Sequence, residues 1–302
     1  MHSRRDFGRI MLASLPASMA LGKFNPTIAG VQLGVCTYSF RSLPHTGTDA
    51  VPTVLQALKE CGSGPCELFS PQLEPGNPVF GRMRNSPEGQ KYREDLRQWR
   101  LTTPTDHFKT VRKQFDDAGA EIYAYTLNFS KDYTDEELDK CFQQAKALRA
   151  KAIAASTQVS MLPRLKPLAE KHKIYVAVHG HSDTKHPDEF SSPETFQKAL
   201  DMSDWFRVNL DIGHFSAAGF DPMAYINEHH DRITHLHIKD RKKEDGPNEP
   251  FGEGDTPIKQ VLQLLKDKKY AIPAFVEYEY KGAGTPVEEV NKCLAYMQAA
   301  LA

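Results

Sequence analysis

Eight times along this chain, a short run with an apolar period of two gives way to a run with helical spacing. Such regular alternation makes the strands parallel, because each helix must carry the chain back across the sheet. Strands are expected at 31–39, 66–70, 121–129, 151–156, 174–181, 206–211, 233–239 and 274–278. Helices are expected at 48–61, 105–118, 134–149, 162–172, 193–202, 222–230, 257–268 and 286–301. Thr134 with Glu137 three residues on is a capping-box pattern, and Asp221 before Pro222 is a cap followed by a first-turn proline. Eight units in about 270 residues suit a closed (β/α)8 TIM barrel, which typically needs about 250. An open doubly wound sheet would want a Gly-rich turn after strand one, and Cys36-Thr37-Tyr38-Ser39-Phe40 is not that. Residues 71–104 break the rhythm and read as an excursion over the top of a single domain, with a short helical piece at 90–99.

The last four strands share a peculiarity. In Arg207-Val208-Asn209-Leu210-Asp211-Ile212-Gly213-His214, apolar Val208, Leu210 and Ile212 alternate with polar or small neighbours. His179 and His181 sit opposite Val176 and Val178. His235, His237 and Lys239 share one parity of strand seven, and Glu277 and Glu279 share one parity after strand eight. The apolar parity can face helices, so the ionisable parity faces the barrel interior, where an unpaired charge is costly. At the C-terminal ends of barrel strands, where catalytic groups collect, His179, Asp211, His237 and Glu277 are expected to hold a divalent metal. Two imidazoles and two carboxylates suit Mn, Zn, Fe or Co better than Mg or Ca. His235 lies one layer deeper and is expected to pack in the core. His214 is expected to touch substrate.

Composition narrows the partners. At 40% hydrophobic residues the 302-residue chain can bury a large core, and its formal charge of −1 shows no basic surplus for nucleic acid. The N-terminus carries Ser3-Arg4-Arg5-Asp6-Phe7, then a short apolar run at 10–21. The run is too short to span a bilayer, and the order of features is that of a twin-arginine signal peptide over 1–30, exported to the periplasm. Without those residues the formal charge falls by three, to −4. No cysteine closely follows the apolar run to take a lipid, and no stable membrane anchor is expected. Five cysteines include no Cys-x-x-Cys pair, so no zinc ribbon or disulfide framework is expected. A homo-oligomer is left open.

The motifs Asp211-Ile212-Gly213-His214, His237-Ile238-Lys239-Asp240, Gly252-Glu253-Gly254-Asp255 and Val276-Glu277-Tyr278-Glu279 resemble the xylose isomerase-like TIM barrels, the sugar phosphate isomerase/epimerase family. The resemblance covers 31–302. It implies a divalent metal at the ends of strands five to eight and a hydroxy-carbonyl sugar bound across it. The family usually places a Glu on strand five, and this chain has His179-Gly180-His181 there. The base is therefore expected on the strand-eight side, at Glu277 or Glu279, with His214 or Lys239 protonating an oxygen. Glu67, Tyr38, His181 and His214 are expected to contact a small carbohydrate substrate. The expected outcome is isomerisation or epimerisation, with elimination from a 3-keto sugar or glycoside as the alternative. A non-catalytic sugar-binding barrel and an apurinic-site nuclease are the readings of other classes. The nuclease would want early-strand ligands and a basic rim, and this chain has neither. The Gly252–Asp255 loop is open between an anion cradle and a plain turn, and Arg241, Lys242 and Lys243 are expected to form a solvated rim.

Overall fold

The computed structural model describes residues 27–44, 49–75 and 86–302. The twin-arginine segment and the run at 10–21 lie outside the described residues. Eight parallel strands close into a barrel: β1 (Val31–Cys36), β2 (Pro65–Phe69), β3 (Glu121–Thr126), β4 (Ala152–Ser156), β5 (Tyr175–His179), β6 (Phe206–Asp211), β7 (Ile233–Ile238) and β8 (Ala274–Val276). β1 closes the ring by pairing with β2 (Val35 opposite Cys66) and with β8 (Leu33 opposite Ala274). Just ahead of β1, Thr27–Ile28 pairs antiparallel with it. Ala29 and Gly30 both have positive φ there, as a two-residue hairpin turn requires.

The helices are α1 (Val51–Glu60), α2 (Pro87–Thr102), α3 (Thr105–Asp117), α4 (Asp135–Ala147), α5 (Leu162–His172), α6 (Pro193–Met202), the one-and-a-half-turn α7 (Ile212–Ala217), α8 (Pro222–His229), α9 (Ile258–Lys268) and α10 (Pro286–Leu301). Their starts are locally written. Ser192 opens α6 and Thr285 opens α10 with reciprocal capping boxes, and Asp221 caps α8. Thr134 caps α4 by accepting from the Glu137 N–H, but the Glu137 carboxylate does not return the bond. It is drawn instead to Arg97 and Arg100 of α2. The helical piece expected at 90–99 is longer than its apolar pattern suggested, because α2 gains a Ser86 cap and a buried anchor, Arg100, between Glu74 and Glu137.

The two parities of the strands have separate fates. Leu33, Val35, Leu68, Ile153, Val176, Val178, Val208, Leu210, Leu236 and Ile238 face outward into one continuous core with the helices. The inward parity is small or polar over most of its length. At the bottom, Tyr123, His235 and Phe275 plug the barrel with ring centroids 5.4 to 5.7 Å apart. Gly34 makes room for that plug, since a Cβ there would stand 2.5 Å from the Phe275 ring. The plug leaves the polar layer above it as the floor of a pocket. All five cysteines are free, and no helix among the described residues is long and apolar enough to cross a membrane.

Candidate metal centre and active-site cleft

His179, Asp211, His237 and Glu277 end β5, β6, β7 and β8, and one ligand-type atom from each lies within 4.8 Å of all the others. All four residues are buried. The local sequence explains their aim. Asp211 is the N-cap of α7, and its Oδ1 accepts from the His214 N–H at 2.7 Å. That bond fixes the carboxylate and leaves Oδ2 facing the cluster without a hydrogen-bond partner. Lys239 Nζ is 3.2 Å from that oxygen, at an angle that makes an ion pair but no hydrogen bond. His179 Nδ1 is likewise buried and unpartnered. Two buried groups without hydrogen bonds in one cluster, one of them held only by an ion pair, are what a bound cation would satisfy.

His237 is oriented from below. Its Nε2 lies 2.8 Å from Glu67 Oε2, while its Nδ1 lies 3.1 Å from Glu277 Oε2. A neutral ring donating Nε2–H to Glu67 therefore turns its Nδ1 lone pair toward the Glu277 carboxylate. Two acceptors so placed need a cation or a proton between them. Without a metal the proton is the answer: burial opposes the charge, but Glu67 and Glu277 hold the His237 pKa well above the usual imidazole range.

Glu67 is the hub of the floor. It has no exposed surface, and it also accepts from Thr126 Oγ1 at 2.5 Å, from His235 Nε2 at 2.5 Å, from Asn209 Nδ2 at 3.3 Å and from Cys36 Sγ at 3.4 Å. Burial resists its ionisation, yet His237 and the histidine hydrogen bonds hold its carboxyl well below the usual range. Glu67 lines the inner pocket, as a substrate contact would have to, but both of its oxygens are engaged by side chains of the floor, and it supports His237 from beneath. His235, expected in the core, is there, with Nδ1 2.8 Å from Thr234 Oγ1. Burial keeps it on the neutral side despite Glu67.

A second layer of charge lies toward the β8 side. Lys239 Nζ is 2.8 Å from Glu277 Oε2 and 2.6 Å from Glu279 Oε2. Burial alone would lower its pKa, but Asp211, Glu277 and Glu279 raise it well above the usual ammonium value. For Glu277 burial opposes ionisation and is outweighed by Lys239 and His237, so its carboxyl stays well below the ordinary range. Asp211 goes the other way: burial raises it to about 6, only partly offset by Lys239. His214 lies 3.0 Å from Lys239 Nζ and 2.7 Å from Arg241 Nη1. Burial and the adjacent ammonium keep it neutral.

Arg241 corrects a second expectation. It is buried rather than rim-exposed, and it ties His214 to Ser182 and to the Gly246 carbonyl. The Gly252–Asp255 loop does hold an anion through its backbone, but the anion is the chain's own. Asp240 Oδ2 accepts from the Gly252 and Gly254 N–H groups at 2.7 and 3.1 Å, and Oδ1 accepts from Thr256.

The cluster opens into an inner pocket of about 250 Å³. His181 stands at its edge, its Nδ1 2.9 Å from Glu189 and its Nε2 3.4 Å from Ser156 Oγ. Tyr38 and Phe69 meet edge to face at 5.0 Å across the same opening. Burial and Glu279 push the Tyr38 phenol up to about 12, so it is a donor at any ordinary pH. Trp99 packs on Phe108 with ring centroids 5.9 Å apart. Asn209, Thr126 and Cys36 were missed in the sequence. Asn209 alone carried a signal, a polar residue on the inward parity two positions before Asp211.

Residues 88–299 match the family described as xylose isomerase-like TIM barrel, and the chain belongs to that family. Among curated proteins it is similar to an L-ribulose-5-phosphate 3-epimerase, UlaE, of Escherichia coli, 32% identical over 98 residues. That match covers 32% of this chain and 34% of the relative, so the chain spans about a third of the length of the curated relatives it matches. Among solved structures, the 3-keto-D-glucoside 4-epimerase YcjR from E. coli superposes with a TM-score of 0.62 at 10% identity, covering 89% of this chain and 99% of the other. The IolI protein, crystallised with a bound zinc atom, gives a TM-score of 0.63 at 14% identity over 89% and 97% of the two chains. At these identities the structural matches establish a shared fold.

Proposed function

We propose that this protein is a divalent-metal-dependent sugar isomerase or epimerase that removes a proton next to a polarised carbonyl. The observation that carries the reading is the buried convergence of His179, Asp211, His237 and Glu277, with His179 Nδ1 and Asp211 Oδ2 lacking hydrogen-bond partners and Asp211 Oδ2 met only by the Lys239 ion pair. The mixed nitrogen and oxygen set suits Zn, Mn, Co or Fe. Zinc in the IolI structure and the epimerase activity named for UlaE support the same direction. A metal held there would supply Lewis-acid polarisation of a sugar carbonyl and so acidify the adjacent C–H bond.

The chain's own groups do the rest. Glu279, more open than Glu277 and steered by Lys239, is placed to take the proton. Lys239 and His214, 3.0 Å apart, form a donor pair for an oxygen that gains charge. Tyr38 and His181, at the edge of the inner pocket, hold hydroxyl groups. Of the carboxylates lining the inner pocket, Glu277 and Glu279 come from the β8 side and Glu67 of β2 is engaged by the floor, while β5 contributes imidazoles. That asymmetry favours a second reading, one-base elimination from a 3-keto sugar or glycoside, over a symmetric two-carboxylate exchange. The pair Arg4-Arg5 and the apolar run behind it support export by the twin-arginine route to the periplasm, where unphosphorylated sugars are the available class.

Elemental analysis of the purified protein tests the reading first, with about one Zn, Mn, Co or Fe per chain expected. Deuterium uptake from heavy water into a panel of ketoses and 3-keto glycosides tests it second. Protein that retains no metal and exchanges no substrate proton would be a sugar-binding barrel instead.

A further inference from the structure

Beyond the inner pocket the cleft widens into a chamber of about 990 Å³. The two spaces adjoin: Tyr38, Phe69, Asn128, Ser156 and His181 border both. The inner pocket falls below the roughly 300 Å³ at which sites for drug-sized ligands begin, whereas the chamber lies at the upper end of that range, about 1,000 Å³. A monosaccharide bound across the metal cluster would leave most of this volume to something attached to it.

The lining says what that attachment is. Tyr38, Phe69, Tyr92 and Tyr133 give the chamber aromatic walls, and Asn128, Ser130 and Gln158 give it neutral polar groups. The arginines and lysine on its surface are already engaged. Arg93 pairs with Asp132, Arg97 with Glu94 and Glu137, Arg100 with Glu74 and Glu137, and Lys131 with Asp188. Arg41 donates to the carbonyls of Tyr38 and Tyr278 and lies over the Tyr38 ring at 4.2 Å. A phosphate would want a free guanidinium or an open backbone nest. The backbone nest at Gly252 and Gly254, left open by the sequence between an anion cradle and a plain turn, is filled by Asp240. Aromatic faces with amide and hydroxyl groups between them suit an uncharged ring.

We propose that the outer chamber is a second subsite, taking an uncharged ring joined to the sugar held at the His179–Asp211–His237–Glu277 cluster, so that the substrate is a glycoside rather than a free or phosphorylated monosaccharide. This rests on the sugar-enzyme reading and adds the substrate class to it. Helix α2 is then a specificity element, because Leu96, Arg97 and Arg100 wall the chamber.

The test is calorimetric binding to the metal-loaded full chain of glucose, glucose 6-phosphate, phenyl β-D-glucoside and cellobiose, each also in its 3-keto form. Both glycosides are expected to bind at least tenfold more tightly than glucose, and the phosphate no more tightly than glucose. Ser130→Trp, which puts an indole into the chamber, is expected to weaken the glycosides at least tenfold and to leave glucose within twofold. Gln158→Trp repeats the measurement from another loop should the first variant fail to fold. Equal binding of glucose and its glycosides, or tryptophan variants that leave glycoside binding intact or weaken every ligand alike, would overturn the subsite. If equal binding came with continued deuterium exchange, only the subsite would fall. A metal-loaded protein that bound none of these sugars would overturn both the subsite and the enzyme reading.

Discussion

Asp211 divides its two oxygens between tasks: one caps α7, the other faces the cluster. Asp211→Ala is therefore expected to abolish metal retention, from about one ion per chain to a trace by elemental analysis. Glu67 acts through His237, holding the ring so that Nδ1 faces Glu277. Carboxylates behind a ligand histidine are typically worth about 10–100-fold in metal affinity. Glu67→Gln, which keeps the shape but loses the charge, is expected to weaken zinc binding by about that factor in a competition titration. A purely structural role would lower the melting temperature and leave the dissociation constant alone. Gly213 belongs to the same scale. A Cβ there would stand 2.7 Å from the Lys239 carbonyl and 2.9 Å from its Cβ, so only glycine lets β7 and α7 approach this closely.

At the scale of elements, α2 is fastened to the barrel through Arg100, buried between Glu74 and Glu137. Removing one partner of a buried ion pair commonly costs about 3–5 kcal/mol, because the other charges stay behind. Arg100→Ala is expected to destabilise the protein by that order in urea unfolding, and to expose 86–103 to proteolysis before the rest of the barrel. Between α4 and α5, Asp139 accepts from Lys171 and His172 at 2.7 and 2.8 Å. Burial opposes its ionisation, but those bonds together with one from Gln143 lower its pKa to about 2. A depressed carboxyl contributes stability that is present above its unfolded value of about 3.9 and lost as pH falls through the folded value. The urea midpoint of the wild type should drop more steeply between about pH 4 and pH 2 than that of Asp139→Asn.

At the scale of the whole molecule, the last four strands carry mutually dependent charges, and a metal would bind only the folded arrangement. With free ion at about 100 times the dissociation constant, loading is expected to add about 2.7 kcal/mol, read as a rise in melting temperature that EDTA reverses. The sequence by itself determined the eightfold alternation, the closed barrel and the four converging side chains, because strand parity and strand-end position are periodic properties of the chain. It also determined Asp221 and Thr134 as helix caps, since a cap needs only neighbours a few residues away. Only the tertiary structure decided that Glu67 supports His237, that Arg241 is buried, that the glycine loop holds Asp240, and that α2 walls a second chamber. Each of these depends on which side chains meet across the barrel. Glu67 and His237 stand 170 residues apart, and no local pattern encodes a contact made by ring closure.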